Sequence, residues 1–230
     1  MPVAAVAVVC PALAGFILAC RRGGLPNGCA LLIRAFDVGR IGAKAIWLPI
    51  LLISPAVGIV AFVIMRLGGS RIPDPQIALP NVLALSAVFL VSGLSEELGW
   101  SAYALDPLQA RSSALAAGLL IGAVWAIWRY PALVQAHRSV VWIGWWTLGT
   151  VSMRIIMVWL FNRTGGSMFG AAVFHAVSNL CWQLFPVQGS WFDPRLHGLL
   201  MAAVALVLVL WYPGRGQVDR TLALARLGPS

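Results

Sequence analysis

Long apolar runs recur along this chain and set the strongest limit on its fold. Sixty per cent of its 230 residues are hydrophobic and 10% are charged, whereas soluble domains carry about 25% charged residues. This composition excludes a water-soluble globule, and it excludes disorder, which requires few apolar residues and much charge. About 20 apolar residues let a helix cross a bilayer. We therefore predict an all-α, polytopic membrane helix bundle of about seven transmembrane helices, at 3–20, 45–65, 82–105, 114–133, 140–161, 167–185 and 197–212.

The charges between these runs predict the orientation of a single membrane domain, residues 1–230, that ends in a short exposed tail at 214–230. If the N-terminus lies outside, the cytoplasmic connections hold ten Lys and Arg residues and the outer ones hold four. Basic residues are retained in the cytoplasm, so we expect an integral cell-membrane protein with its C-terminus in the cytoplasm. Residues 34–44 could form a helix on the membrane surface. The basic residues are scattered rather than gathered in a patch, so we expect no nucleic acid as a partner. The expected partner is the lipid bilayer.

A few ionisable side chains fall inside the apolar runs, where they are costly unless they face the bundle interior or water. They are Glu96, Glu97, Arg129, Arg154 and His175. The helices must turn these groups toward one another, which predicts an internal polar chamber, entered from one membrane face. This chamber is where a function should be sought.

The two glutamates of the chain are adjacent, in the stretch from Ser95 to Ser101. Neighbouring residues on a helix point about 100° apart, so Glu96 and Glu97 can face different partners. One carboxylate could act as a general base toward water. Equally, both could belong to a structural ion network with arginines of other helices, and the residues alone leave these two interpretations open.

Two more pairs of polar residues are spaced four apart, so that each pair shares a helix face. Trp125 and Arg129 form the first pair, and His175 and Asn179 form the second. An imidazole and a carboxamide suit metal ligation, orientation of water or hydrogen bonding to a developing oxyanion. A lone helical histidine is more often a packing residue, and the asparagine one turn away raises the functional interpretation only modestly.

Taken in order, these motifs resemble those of the CPBP intramembrane endopeptidases, the family of CAAX proteases and bacteriocin-processing (Abi-like) enzymes. The family pattern is E-E-x-x-x-R, then F-x-x-x-H, then H-x-x-x-N or H-x-x-x-D. This chain has E-E-L-G-W-S from Glu96, W-A-I-W-R from Trp125 and H-A-V-S-N from His175. The resemblance covers about residues 82–185, which we take as the catalytic core.

The resemblance implies an endopeptidase that hydrolyses a peptide bond near the membrane surface, with CAAX-type or leader-peptide processing as its activity. Its water-activating glutamate corresponds to Glu96, with Glu97 beside it, and its last motif corresponds to His175 and Asn179. A divalent metal such as Zn²⁺, with Glu96 and His175 as ligands, would be consistent with this family. The implied partner is a membrane-associated or lipidated peptide.

Two positions depart from the family pattern. Ser101 stands where the family has arginine, and Arg129 stands where it has the histidine of the second motif. Arginine stays protonated and can serve neither as a metal ligand nor as a base. His137, eight residues further on, is a poor replacement unless the helix breaks near Pro131. We therefore assign Ser101, Trp125, Arg129 and Arg154 supporting roles.

Three functional hypotheses follow. The first is an active intramembrane endopeptidase in which Glu96 activates water and His175 with Asn179 completes the site. The second is a catalytically silent relative that acts as a scaffold or immunity protein, its buried charges being structural. The third is a small ion or proton transporter, although the chain has no internal repeat to support it.

Overall fold

The computed structural model describes residues 7–211, and this part of the chain is helical, with no strand beyond an isolated bridge between Val187 and Ser190. Seven long helices follow one another, and the predicted all-α bundle is confirmed. The α-helices, numbered in chain order with one short helix included, are α1 Cys10–Ile33, α2 Trp47–Leu67, α3 Leu79–Glu97, α4 Asp106–Arg111, α5 Ala114–Gln135, α6 Val140–Arg163, α7 Met168–Leu184 and α8 Pro194–Trp211. The predicted tail at 214–230 lies outside the described residues.

Five helical stretches of the described chain are long and apolar enough to cross a membrane: Lys44–Leu67, Leu79–Arg111, Ala114–Gln135, Val140–Arg163 and Pro194–Trp211. Large apolar side chains are exposed along their outer faces, as at Leu83 and Val91 of α3 and Leu120 of α5. Such faces suit lipid, because a membrane helix must be apolar where it meets the acyl chains. α7 is also apolar, but it has only 17 residues.

The first helix differs from the span predicted at 3–20. It continues past Arg21 and Arg22 and then turns at Gly23 and Gly24, whose backbones are not helical. Gly24 has φ = 72°, a conformation that glycine adopts without steric cost. The second half of α1 packs back on the first, so that a Cβ on Gly28 would collide with Sγ of Cys20. This segment is therefore a helical hairpin rather than a straight span.

The connection after α1 fastens the start of α7. It consists of 3₁₀ turns at Arg34–Arg40 and Lys44–Ile46. The carboxylate of Asp37 accepts hydrogen bonds from the backbone N–H groups of Met168 (3.1 Å) and Phe169 (3.0 Å) and from the hydroxyl of Ser167 (2.9 Å). The first N–H groups of a helix lack partners within it and favour negative charge, so Asp37 holds the N-terminal end of α7.

The polar cluster sits where α3, α5, α6 and α7 meet. Helix α3 approaches α7 closely at Gly93, since a Cβ there would lie only 2.8 Å from the carbonyl oxygen of Ala172. Beneath this contact, side chains of α2, α6, α7 and α8 form an apolar core around Ile50, Ile156, Phe174 and Met201. Directly after Glu97 the chain continues as a π-helical segment, Leu98–Leu105. π-helical turns are rare and often mark functional sites.

Candidate active site

Glu97 is held by three helices at once. Both oxygens of its carboxylate accept hydrogen bonds from Arg154 of α6, at 2.7 Å and 2.9 Å. The hydroxyl of Ser101 donates to the same carboxylate, and Nδ1 of His175 on α7 lies 3.0 Å from its Oε1. An ionised carboxylate only accepts hydrogen bonds, so the Nδ1–H of His175 is the donor. This two-point pairing with a guanidinium fixes the geometry as well as the charge.

Glu96 points to a different set of partners, as expected for neighbours on a helix. The indole N–H of Trp125 donates to its Oε2 at 2.8 Å, and the guanidinium of Arg129 donates to its Oε1. Both glutamates are 0% exposed. The side chain of Arg129 is 22% exposed, however, whereas that of Arg154 is 1% exposed.

Trp125 joins the two halves of this cluster. Its ring lies 4.5 Å from the guanidinium carbon of Arg154 and meets the ring of His175 edge-on at 5.0 Å, while its N–H binds Glu96. Two carboxylates and two guanidiniums thus cancel in charge around one aromatic ring. Buried ions are tolerated only when they are paired and hydrogen-bonded in this way.

A cavity of about 470 Å³ lies against this cluster, between α5, α6 and α7. We call it the α5–α7 cavity. Trp125 and Arg129 form part of its wall, as does Asn179, while neither glutamate nor His175 is among its lining residues. Trp125 and Arg129 therefore separate Glu96 from the cavity, and Asn179 faces the cavity rather than the carboxylates.

The comparisons with known proteins match this site. Residues 78–181 match the family model described as Type II CAAX prenyl endopeptidase Rce1-like. This range contains the two glutamates and the two arginines of the buried cluster, together with His175 and Asn179. The chain is also similar to "CAAX prenyl protease 2" of Methanococcus maripaludis, with 26% identity over 188 residues, which cover 76% of this chain and 69% of that protein. The chain is similar to this family over the matched segment. The resemblance seen in its motifs is confirmed.

The departures of this chain from the family pattern have structural consequences. Ser101 lacks the positive charge of the family arginine, but Arg154 of a different helix pairs with Glu97 and comes within 3.4 Å of the Ser101 hydroxyl. At the second motif, the guanidinium of Arg129 donates a hydrogen bond directly to the carboxylate of Glu96. His137 is exposed beyond the end of α5, which runs through Pro131 without ending there, so His137 cannot replace the missing histidine.

A divalent metal does not fit the residues as they are arranged. Glu96 is bound by Trp125 and Arg129, and a guanidinium on its oxygen competes with a metal cation for the same place. His175 uses Nδ1 for Glu97 and retains only Nε2, which has no hydrogen-bond partner among the described residues. In that part of the chain no group of three His, Cys, Asp or Glu residues could hold a metal ion.

Sequence reasoning missed other residues that shape the site. Arg138, Trp146, Trp182 and Phe192 also line the α5–α7 cavity. A motif search could not find them because they come from the ends of helices and from connections, outside the three short patterns. Their signal in the sequence is the concentration of tryptophan after α5, at Trp142, Trp145 and Trp146.

Proposed function

We propose that this chain is an intramembrane endopeptidase of the CAAX type, which hydrolyses a peptide bond near the membrane surface with water activated by Glu96. The observation that carries the proposal is the position of Glu96. Its carboxylate lies directly behind Arg129 and Trp125, which form the wall of a cavity large enough for a short peptide. Burial in the bundle restricts water and strengthens the electrostatic interactions of these groups.

In this mechanism the two glutamates have different tasks. Glu96 takes a proton from water as the water oxygen attacks the carbonyl carbon of the peptide. The proton then passes to the amide nitrogen, and the carbon–nitrogen bond breaks to give a carboxylic acid and an amine. Glu97 does not react. With Arg154 it holds His175 and Trp125 in place.

Donors for the developing oxyanion come from the cavity wall. The amide of Asn179 and the guanidinium of Arg129 both line the cavity, and hydrogen-bond donors at such positions can stabilise the charge of a tetrahedral intermediate. Nε2 of His175, which is buried without a partner among the described residues, is a further polar atom at the cluster. Arg129 must move off Glu96 for water to reach the carboxylate.

A second function is favoured by one specific contact, the ion pair between Arg129 and Glu96. If the guanidinium never leaves the carboxylate, Glu96 cannot accept a proton. The chain would then be a catalytically silent relative in which the cluster stabilises the bundle, and it would act as a scaffold or immunity protein.

Cleavage by purified protein separates these two functions. Wild type, Glu96→Gln and His175→Ala are incubated in detergent or bilayers with a library of prenylated and unprenylated peptides, and products are identified by mass spectrometry. Glu96→Gln keeps the size of the side chain and an acceptor for Trp125. We expect it to lose at least about 100-fold in rate, the usual contribution of a general base.

The matched control is Asp74→Asn, which changes an acidic side chain that is 85% exposed in a loop. It should cleave like wild type. No cleavage by wild type, or equal cleavage by wild type and Glu96→Gln, would contradict the proposal. In the first case, activity gained by Arg129→His would identify a silent relative.

A further inference from the structure

One end of the bundle is held together by polar contacts between its connections. The guanidinium of Arg34, just after α1, lies 3.5 Å from the carboxylate of Asp106 and donates to the carbonyl of Gly166 at 3.1 Å. The side-chain amides of Gln109 and Asn162 bind each other. The end of α1, the short helix α4, the end of α6 and the start of α7 therefore lie at the same end of the molecule.

Within residues 7–211, every exposed charge at this end is positive. These charges belong to Arg21, Arg22, Arg40, Lys44, Arg111 and Arg163. We call the end of the bundle that carries these six residues the basic end. Its two acidic side chains are largely buried and already bound, Asp37 to backbone N–H groups of α7 and Asp106 to Arg34. A surface with this charge attracts anions.

The opposite end of the bundle has mixed charge. The guanidinium of Arg66 lies 2.9 Å from the carboxylate of Asp74, and that of Arg195 lies 3.8 Å from the carboxylate of Asp193. An anion that binds there competes with these carboxylates for the same cations. The basic end is therefore the better place on this molecule for an anionic ligand.

Two arginines of the basic end are adjacent, directly before the turn of the α1 hairpin at Gly23 and Gly24. The guanidinium carbon of Arg22 lies 5.2 Å from the ring centroid of Tyr103, and such a contact leaves the N–H donors at the edge of the guanidinium free. Among the described residues, neither Arg21 nor Arg22 has a carboxylate within 4.0 Å. Both guanidiniums can therefore donate to one phosphate group.

An apolar stripe leads from this pair toward the middle of the bundle. The first half of α1 begins near the buried glutamates, where the hydroxyl of Ser95 donates to the carbonyl of Val8 at 3.1 Å. Leu13, Ile17 and Arg21 follow at intervals of four residues, so they share one face of the helix. Leu13 is 55% exposed and Ile17 is 50% exposed. A phosphate ion would use the guanidiniums alone, whereas a phospholipid can also place its acyl chains along this stripe.

We propose that the α1 hairpin carries a binding site for an anionic phospholipid, in which Arg21 and Arg22 bind the phosphate and the acyl chains lie along Leu13 and Ile17. Each basic residue near a membrane surface raises the affinity for acidic lipid about fivefold, so the pair contributes about 10- to 30-fold. The site lies outside the α5–α7 cavity and does not depend on the hydrolysis proposed above.

Binding of the first lipid to the full chain is measured by native mass spectrometry in a neutral detergent. Dioleoyl phosphatidylglycerol and dioleoyl phosphatidylcholine are titrated separately, because they share their acyl chains and differ in net charge. We expect wild type to bind phosphatidylglycerol about 10- to 30-fold more tightly. Arg21→Gln combined with Arg22→Gln should remove this preference. Arg21→Lys combined with Arg22→Lys should keep part of it, since Lys keeps the charge without the planar fork.

The matched control is Arg71→Gln combined with Arg195→Gln, which removes the same charge from two exposed arginines at the opposite end. This variant should keep the preference of wild type. Equal affinity of wild type for the two lipids, or an equal loss of preference in both Gln variants, would overturn the inference. Glycerol 3-phosphate, which has the phosphate without acyl chains, is added at the concentration of the lipid. It should not displace phosphatidylglycerol, and displacement would show an ion site in place of a lipid site.

Discussion

The two halves of the buried cluster differ in how firmly they are built. Glu97 is bound by Arg154, Ser101 and His175, and every one of these partners is buried. Glu96 has Trp125 and the partly exposed Arg129, both of which border a cavity. The two glutamates are neighbours in sequence, but their surroundings differ. Glu97 is enclosed by buried partners, whereas the partners of Glu96 border a cavity. The role of a glutamate inside a membrane protein therefore depends on the side chains that bind it and not only on how deeply it is buried.

The strongest test of this difference replaces one arginine in each half. Arg154→Leu leaves Glu97 buried without a counter-ion, and we expect a loss of about 3–5 kcal/mol in the free energy of unfolding. Arg129→Leu should cost less, about 2 kcal/mol, because that side chain borders the cavity. Denaturant unfolding of both variants in the same detergent measures the difference. Equal losses would mean that the two halves are equally structural.

Arg129→His restores the family residue and sharpens the comparison chemically. It removes the cation from Glu96 and adds an imidazole, so that Glu96, the new side chain and Nε2 of His175 become candidate metal ligands. We expect Zn²⁺ at 100 times its Kd to stabilise the variant by about 2.7 kcal/mol, and wild type to show no such effect. The measurement is a thermal shift with and without Zn²⁺, together with bound-metal analysis. A variant that binds no metal would show that the rest of the site cannot form this centre.

Removing one neutral donor from each half tests what each hydrogen bond supports. Ser101→Ala removes a donor to Glu97, and Trp125→Phe removes a donor to Glu96. Each bond to a charged group contributes about 1.5–3 kcal/mol. We expect Ser101→Ala to lower mainly the free energy of unfolding, and Trp125→Phe to lower mainly the cleavage rate, by about 10-fold. Parallel unfolding and cleavage assays decide, and the opposite pattern would reverse our assignment of the two glutamates.

The smallest loss of stability is expected from a change at Asp37. This residue does not contact Glu97, but it binds the start of α7, which carries His175. Asp37→Ala removes acceptors from the first N–H groups of α7, the helix that carries His175. Loss of such a cap costs about 0.5–2 kcal/mol. Hydrogen exchange should speed up in the first turn of α7 and not in α5. Faster exchange in both helices would show that the two halves do not respond separately.

Sequence reasoning could identify the members of the cluster, because ionisable groups at membrane depth must find one another. Glu96, Glu97, Arg129, Arg154 and His175 do meet. It could not assign the pairs, since which arginine reaches which glutamate depends on how closely helices approach. That approach is decided by contacts such as Gly93 against Ala172, which no motif records.

The departures from prediction have equally local causes. The reversal at Gly23 and Gly24 follows from backbone conformations that hydropathy cannot report, and the apolar run before it looked like an ordinary span. Asn179 was expected to act together with His175, and this stays a prediction. The two residues share a helix face by spacing, yet the carboxamide lines the cavity while the imidazole points into the cluster.

The π-helical segment at Leu98–Leu105 makes the chain unusually sensitive to its length at this point. A π-turn accommodates one more residue than an α-turn, so deleting a single residue here would let the helix regain regular geometry. The same deletion would rotate the chain before it by about 100° relative to the chain after it. Asp106, which now lies 3.5 Å from Arg34, would turn away from it. A shortened chain with better backbone hydrogen bonding would lose the register between the buried glutamates and this ion pair.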